Sequence, residues 1–245
     1  MMKKILPIVF MCLCISAPVF ALDGNEMLKK VDRHLNPESF EMYRKLINIE
    51  PDGSKKEFVM YSVKKGKEKI ASVFLSPASE KGRSTLRIEE NMWLYIPNVG
   101  KPIRITSLQS VTGGVFNNSD IMRVDYSAEY DCKTVEPADD GHILHLKAKA
   151  NTVAYDSVKM WVYGTRLLPS KLECFASSGM LIKTLYFKNV KDFGGGLVRP
   201  AVIETDSPLY KDYKSVIIFA KVNAKDLPDA VFTLNYMSKV ESLRQ

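Results

Sequence analysis

Three histidines, His34, His142 and His145, are the side chains whose ordinary titration lies nearest neutral pH. Two of them sit in Asp139-Asp140-Gly141-His142-x-x-His145, a grouping that would suit a metal or an acid–base pair if the side chains converged. In a strand they cannot converge without a bulge, because residues three apart point to opposite faces. Asp-Asp-Gly reads more simply as a hairpin turn. The chain after residue 21 has no Gly-x-Ser-x-Gly elbow, Walker loop, His-Glu-x-x-His or Cys-x-x-Cys. Gly194-Gly195-Gly196 precedes no helical pattern, so a phosphate cradle at a helix N-terminus is not supported. These residues call for no cofactor and no metal.

The four cysteines divide by position. Cys12 and Cys14 lie in the apolar run Ile5 to Ile15, which follows the basic start Met1-Met2-Lys3-Lys4 and precedes Ser16-Ala17-Pro18-Val19-Phe20-Ala21. The pattern predicts a secretory signal peptide over residues 1–21, cleaved after Ala21, because the run is too short for a bilayer span. A lipoprotein signal is the rival reading; its cysteine would normally follow a small residue, whereas Met11 and Leu13 are bulky. Residues 22–245 then form a single exported domain. Cys132 and Cys174 remain, and in an oxidising compartment the pair reads as a disulfide. The alternative is two buried thiols packed as small apolar groups.

Composition is that of a globular protein: 46% of the 245 residues are hydrophobic and 26% charged, which excludes collagen and low-complexity disorder. The net charge of +7 is spread along the chain, without the basic–aromatic interleaving of single-strand binders, so nucleic acid is not an expected partner.

The elements that would position any site are mostly strands. Residues 24–35 place Met27, Leu28, Val31 and Leu35 at helical spacing, with Asp23 or Asn25 as cap and Pro37 beyond the end. From Phe40 onward short apolar segments alternate with turns such as Pro51-Asp52-Gly53-Ser54 and Ser177-Ser178-Gly179, the pattern of an antiparallel meander closed into a sandwich or barrel. Residues 106–130 break this rhythm, with Asn118-Ser119-Asp120 able to cap a short helix.

Charged residues orient the strands, since a strand alternates its faces. Lys147 and His145 leave Leu144 and Leu146 inside; Lys159 leaves Met160 and Val162; Glu173 leaves Leu172 and Cys174. By the same rule Lys183 leaves Ile182 and Tyr186, Lys221 leaves Ile218, Arg87 and Glu89 leave Leu86 and Ile88, and Ser62 leaves Val59, Tyr61 and Val63. The inner face is apolar, with one amphipathic helix to cover it. Either the sheet curls into a closed core, or it lines a cavity able to hold a lipid chain.

Asn91-Met92-Trp93-Leu94-Tyr95-Ile96-Pro97 with Arg104-Ile105 resembles the "W-L-Y-x-P…R-R-I" strand pair of the outer-membrane lipoprotein-sorting (LolA/LolB-like) family. Tyr155 to Val162 resembles its "Y-x-x-v-x-l-W-v" strand, and Leu168-Pro169-Ser170-Lys171-Leu172-Glu173 with Gly179 to Thr184 its following hairpin. Phe193 to Pro200 and Leu227 to Thr233 fit its later segments. One position departs: where relatives read "G-S-D-F-x-x-x-D-L", Phe116 and Asp120 match but Val115 replaces the acid.

The resemblance implies a mainly β fold with some α: a strongly curved antiparallel sheet, an incomplete barrel, with helices lidding an apolar cavity. It implies a periplasmic carrier of lipid or lipoprotein acyl chains, in transient contact with membranes and with a membrane exporter or outer-membrane acceptor as partner. Neither catalytic residue nor cofactor carries over. On this reading Val59, Tyr61, Val63, Leu86, Ile88, Leu144, Leu146, Met160, Val162, Leu172, Ile182, Tyr186 and Ile218 face the lipid. The competing reading is a lipid hydrolase using the same cavity, with Asp139, Asp140, His142 and His145 as its first candidates.

Overall fold

The computed structural model describes residues 23–244 apart from Val111. The expected leader, residues 1–21, lies outside them. Helix α1 (Gly24–Leu35) leads into six strands: β1 (Ser39–Ile49), β2 (Lys55–Lys65), β3 (Lys69–Ser76), β4 (Ser84–Ile88), β5 (Asn91–Tyr95) and β6 (Pro102–Ile105). Short helices α2 (Asn118–Ile121) and α3 (Tyr126–Glu129) follow. Seven more strands complete the sheet: β7 (Tyr130–Ala138), β8 (Gly141–Ala148), β9 (Ser157–Tyr163), β10 (Leu168–Phe175), β11 (Leu181–Asp192), β12 (Val198–Asp206) and β13 (Lys214–Ala224). A 3-10 turn (Asp229–Val231) and a 3-10 helix (Leu234–Leu243) end the described chain.

All thirteen strands belong to one sheet in the order β6-β5-β4-β3-β2-β1-β13-β12-β11-β10-β9-β8-β7. The chain meanders from β1 to one edge, crosses through 106–129 to the other edge, and meanders back until β13 pairs with β1. The segment that interrupts the strand rhythm in the sequence is this crossing. The edge strands β6 and β7 do not pair, so the antiparallel sheet is not closed into a barrel.

Helix α1 forms where its spacing predicts. Asp23 accepts from the N–H groups of Asn25 (2.9 Å) and Glu26 (3.3 Å), and Met27, Leu28, Val31 and Leu35 are buried. The Asp139-Asp140 hairpin turn delivers Gly141 at φ +150°, where a Cβ would stand 2.1 Å from the Val162 carbonyl oxygen. Only glycine fits there.

Leu144, Leu146, Val158, Met160, Val162, Leu172 and Cys174 are buried in one core, as alternation predicts. Three groups of residues depart from the predicted faces. On β11, Lys183, Leu185 and Phe187 are buried, while Ile182 is half-buried at a bulge that its pairing with β10 skips and Tyr186 stands on the other face under Lys188. Lys183 could not mark the solvent face because Asp120 neutralises it inside. On β13, the pairing skips Ala220, a bulge that shifts the phase by one residue. Ile217 and Phe219 therefore point inward beside Val222, and Ile218 turns away from the core.

The third departure is the largest. Tyr61, Val63, Leu86 and Ile88 pack on the opposite face of the sheet, with Leu227, Phe232, Met237 and Val240 of the C-terminal segment. Val59 lies in the same alternating row, and Met60, Ser62 and Lys64 turn to the concave side instead. Both faces of β2–β4 are covered, so polarity no longer distinguishes them. The signal for the covering element was present: Leu234, Met237, Val240 and Leu243 recur every third residue, the 3-10 repeat.

The disulfide is also corrected. Cys132 and Cys174 are free thiols, the second buried. Register explains it: Cys132 pairs with Leu146, Leu146 with Val158 and Val158 with Cys174. Three strand spacings, about 14 Å along the sheet, separate the two, against the ~7 Å limit between bridged Cα atoms. Cys132 instead packs beneath Gly24 and donates its thiol to the Thr134 carbonyl.

Candidate functional site: a lidded cavity with buried arginines

The concave face of β1 and β11–β13 and the three helices enclose a cavity. Its apolar wall is Phe40, Met42, Phe116, Leu185, Phe187, Ile217 and Phe219, closed by Leu35, Val124 and Tyr126 of the helical side. The free volume is about 50 Å³, room for one or two waters at roughly 30 Å³ each. The lid is shut.

Polar tethers hold it there. Asp32 of α1 accepts the N–H groups of Tyr126 (2.8 Å) and Ser127 (2.9 Å), capping α3, whose own N-cap Asp125 makes no capping bond and instead accepts from Lys64 Nζ at 2.6 Å. Arg199 donates to Leu35 O and to Asn36 Oδ1, both at 2.6 Å. Asn25 accepts the Cys132 N–H at 2.8 Å.

Burial, reinforced by the charge of Asp125, pushes the Asp32 carboxyl up to about 6 despite its bonds to Ser127 and Tyr126. A carboxyl whose folded pKa is raised favours folding more as pH falls through that value toward its unfolded value near 4. The stability difference between wild type and Asp32→Asn is therefore expected to move in the wild type's favour by about 2 kcal/mol between pH 7.5 and pH 4.5. Denaturant titrations at the two pH values measure it, and a constant difference would mean that Asp32 ionises normally.

Asp120, at the N-terminus of α2, organises the crossing segment. It accepts from Lys183 Nζ (2.9 Å), Arg123 (3.0 Å), Tyr155 Oη (2.9 Å) and the Asn117 N–H (3.1 Å), and Asn117 accepts in return from the Asp120 N–H. Burial alone would raise its carboxyl; Lys183 and Arg123 outweigh that and hold it below the usual carboxylate range. Lys183 also donates to the Val115 carbonyl, and Ser215 Oγ accepts the Val115 N–H. The position where relatives carry an acid is thus held by its backbone, with the valine side chain buried. A second internal pair, Arg87 with Glu129, ties β4 to α3.

None of the thirteen residues assigned to the lipid-facing wall lines this cavity. Leu144, Leu146, Met160, Val162 and Leu172 lie in the packed core away from it, and the rest are displaced as described above. Asp139 and Asp140 occupy an exposed turn; His142 shares the parity of Leu144, whereas His145 faces the other way, 3.1 Å from Glu136. The residues that do form the site include Arg44 and Arg199. Arg44 was legible, because Phe40, Met42 and Leu46 alternate with it along β1; Arg199 was not, because its row on β12 (Ala201, Ile203) and the opposite row (Pro200, Val202) are both apolar, so alternation assigned neither to a face.

These elements make an open, curved antiparallel sheet with helices shut over an apolar cavity. A LolA superfamily protein from Nitrosomonas europaea has this fold, at 29% identity and TM-score 0.79 over 88% of this chain and 100% of its own. So do a DUF1329 family protein from Desulfovibrio piger (20%, TM-score 0.74, 87% and 97%) and an outer-membrane lipoprotein-sorting protein domain from Vibrio parahaemolyticus (17%, TM-score 0.73, 88% and 98%). No curated protein matches the chain. The model of a family of uncharacterized proteins matches residues 66–239. The chain belongs to that family, and its fold is LolA-like.

Proposed function

We propose that the protein is an exported periplasmic carrier that encloses an acyl chain, free or on a lipoprotein, and passes it between membranes or to and from an exporter. The observation that carries this reading is the apolar cavity beneath a lid held mainly by hydrogen bonds at its rim. The residue motifs shared with lipoprotein-sorting proteins and the leader-like start of the chain support it. Among the described residues no helix is long and apolar enough to cross a membrane.

A shut cavity of this size cannot hold an acyl chain, so loading requires α1 to lift. Each hydrogen-bonded tether is worth about 0.5–1.5 kcal/mol net. Enclosing a sixteen-carbon chain recovers roughly 12 kcal/mol of hydration cost. The apolar stripe of α1 then exchanges contact with the sheet for contact with the ligand. The balance favours loading, and because apolar burial is non-directional it tolerates varied chains.

The test is uptake of a fluorescent palmitoyl probe by delipidated protein, with mass spectrometry of lipid carried through purification. Saturable uptake and recovery of intact lipid are expected. Failure of the probe to bind, with no copurifying lipid, would end the carrier reading.

A further inference from the structure

Arg44 and Arg199 project into an otherwise largely apolar cavity, 3% and 4% exposed. Among the described residues neither has a carboxylate partner. Arg44 donates only to Ser72 Oγ, at a long 3.3 Å, and its Nε has no acceptor. Arg199 stacks on Phe219 with its guanidinium 4.2 Å from the ring centroid, and Phe219 is the cross-strand partner of Arg44. Two buried cations beside one aromatic ring are costly to maintain without a counter-charge.

We infer that the cavity receives the anionic head of a single-chain amphiphile, a carboxylate or a phosphate monoester, with Arg44 and Arg199 as its paired cationic receptor. The inference rests on the carrier reading and narrows its ligands to acidic lipids. Neither acid in the wall, Asp120 or Asp32, is within ion-pair distance of Arg44 or Arg199. Asp120 is engaged by Lys183 and Arg123, and Asp32 by two backbone N–H groups. The free space is of head-group size, and the planar guanidinium matches the paired oxygens of either anion. Burial, together with the positive charge of Arg199, lowers Arg44 to about 9, and burial lowers Arg199 to about 10; an arriving anion would relieve both.

The experiment compares palmitate, hexadecyl phosphate and hexadecanol, which share a chain and differ in head group, on the full chain and on Arg44→Met, Arg199→Met and Arg44→Lys. At least one anion is expected to bind wild type about ten- to hundredfold tighter than the alcohol, the range supplied by a hydrogen bond to a charged group. In each methionine variant the ratio of anion to hexadecanol affinity should fall most of the way to one, whatever the absolute affinity for the alcohol, and Arg44→Lys should keep part of the preference. Which anion is preferred separates the carboxylate from the phosphate. Equal affinity for acid and alcohol in wild type overturns the inference and leaves the carrier intact, a comparison that needs no variant to fold. Preference retained in both methionine variants overturns it as well. Displacement of palmitate by inorganic phosphate as effectively as by hexadecyl phosphate would assign the arginines to a free anion instead. If none of the three amphiphiles binds, the carrier reading and this inference fall together.

Discussion

Asp120→Ala is expected to lower stability by about 3–5 kcal/mol, a large share of the 5–15 kcal/mol typical of a folded protein. The carboxylate is buried and satisfies Lys183, Arg123, Tyr155 and the Asn117 N–H together. Its removal leaves Lys183 uncompensated, Arg123 with Glu129 alone at 3.6 Å, and the capping box of α2 without its acid. Lys183→Met should also destabilise, by leaving Asp120 with less countercharge. The double variant Asp120→Ala/Lys183→Met should lose less than the sum of its singles, because each single strands a charge that the pair together removes. Denaturant midpoints of the four proteins complete the cycle. Full additivity, or a loss below 1 kcal/mol for Asp120→Ala, would show that this network does not hold the crossing segment. The pH dependence has the opposite sign to that of Asp32. The Asp120 pKa is depressed, so its contribution is present at neutral pH and is lost as pH falls through the folded value.

Leu144→Gln and Met42→Gln are expected to part company. Leu144 is fully buried between its cross-strand neighbours Val135 and Met160. Truncating such a leucine costs about 2–5 kcal/mol, and an amide left without partners adds ~1–3 kcal/mol. The variant should lose cooperative unfolding or fall by at least about 4 kcal/mol. Met42 lines the cavity two residues from Arg44 on the same strand face. A glutamine there can reach the water-sized space, so the cost should stay under about 2 kcal/mol while uptake of the palmitoyl probe falls. Equal destabilisation of the two would mean that the cavity is packed core. Equal tolerance, with undiminished probe uptake, would remove Met42 from the ligand's path.

The match between motif and fold was good wherever a segment had one covered face. The α1 stripe, the β8–β10 alternation and the interrupted rhythm of 106–130 each took the form their spacing predicts. The candidate wall failed wherever that condition failed. Glu173 and Lys159 are half-exposed and marked their faces correctly, whereas Lys183 and Arg87 are buried in ion pairs and marked them wrongly. A charged residue reports solvent only when no opposite charge waits inside, and the partners Asp120 and Glu129 lie 63 and 42 residues away in the chain.

Local periodicity determined the elements, the antiparallel order of neighbouring strands and the absence of a nucleotide or elbow motif, because each depends on residues within one hairpin or one helical turn. The family resemblance added the lid and the cavity. Tertiary structure alone decided which apolar face looks inward. A bulge at Ala220 reverses the parity of the preceding half of β13, and the C-terminal 3-10 helix buries the second face of β2–β4. It also decided the state of the cysteines, since two thiols in one cross-strand row are held three strands apart whatever their redox surroundings. The two arginines of the cavity are likewise a tertiary fact. They lie 155 positions apart in sequence, and only the closure of β13 onto β1, with β12 beside it, brings them to one ring.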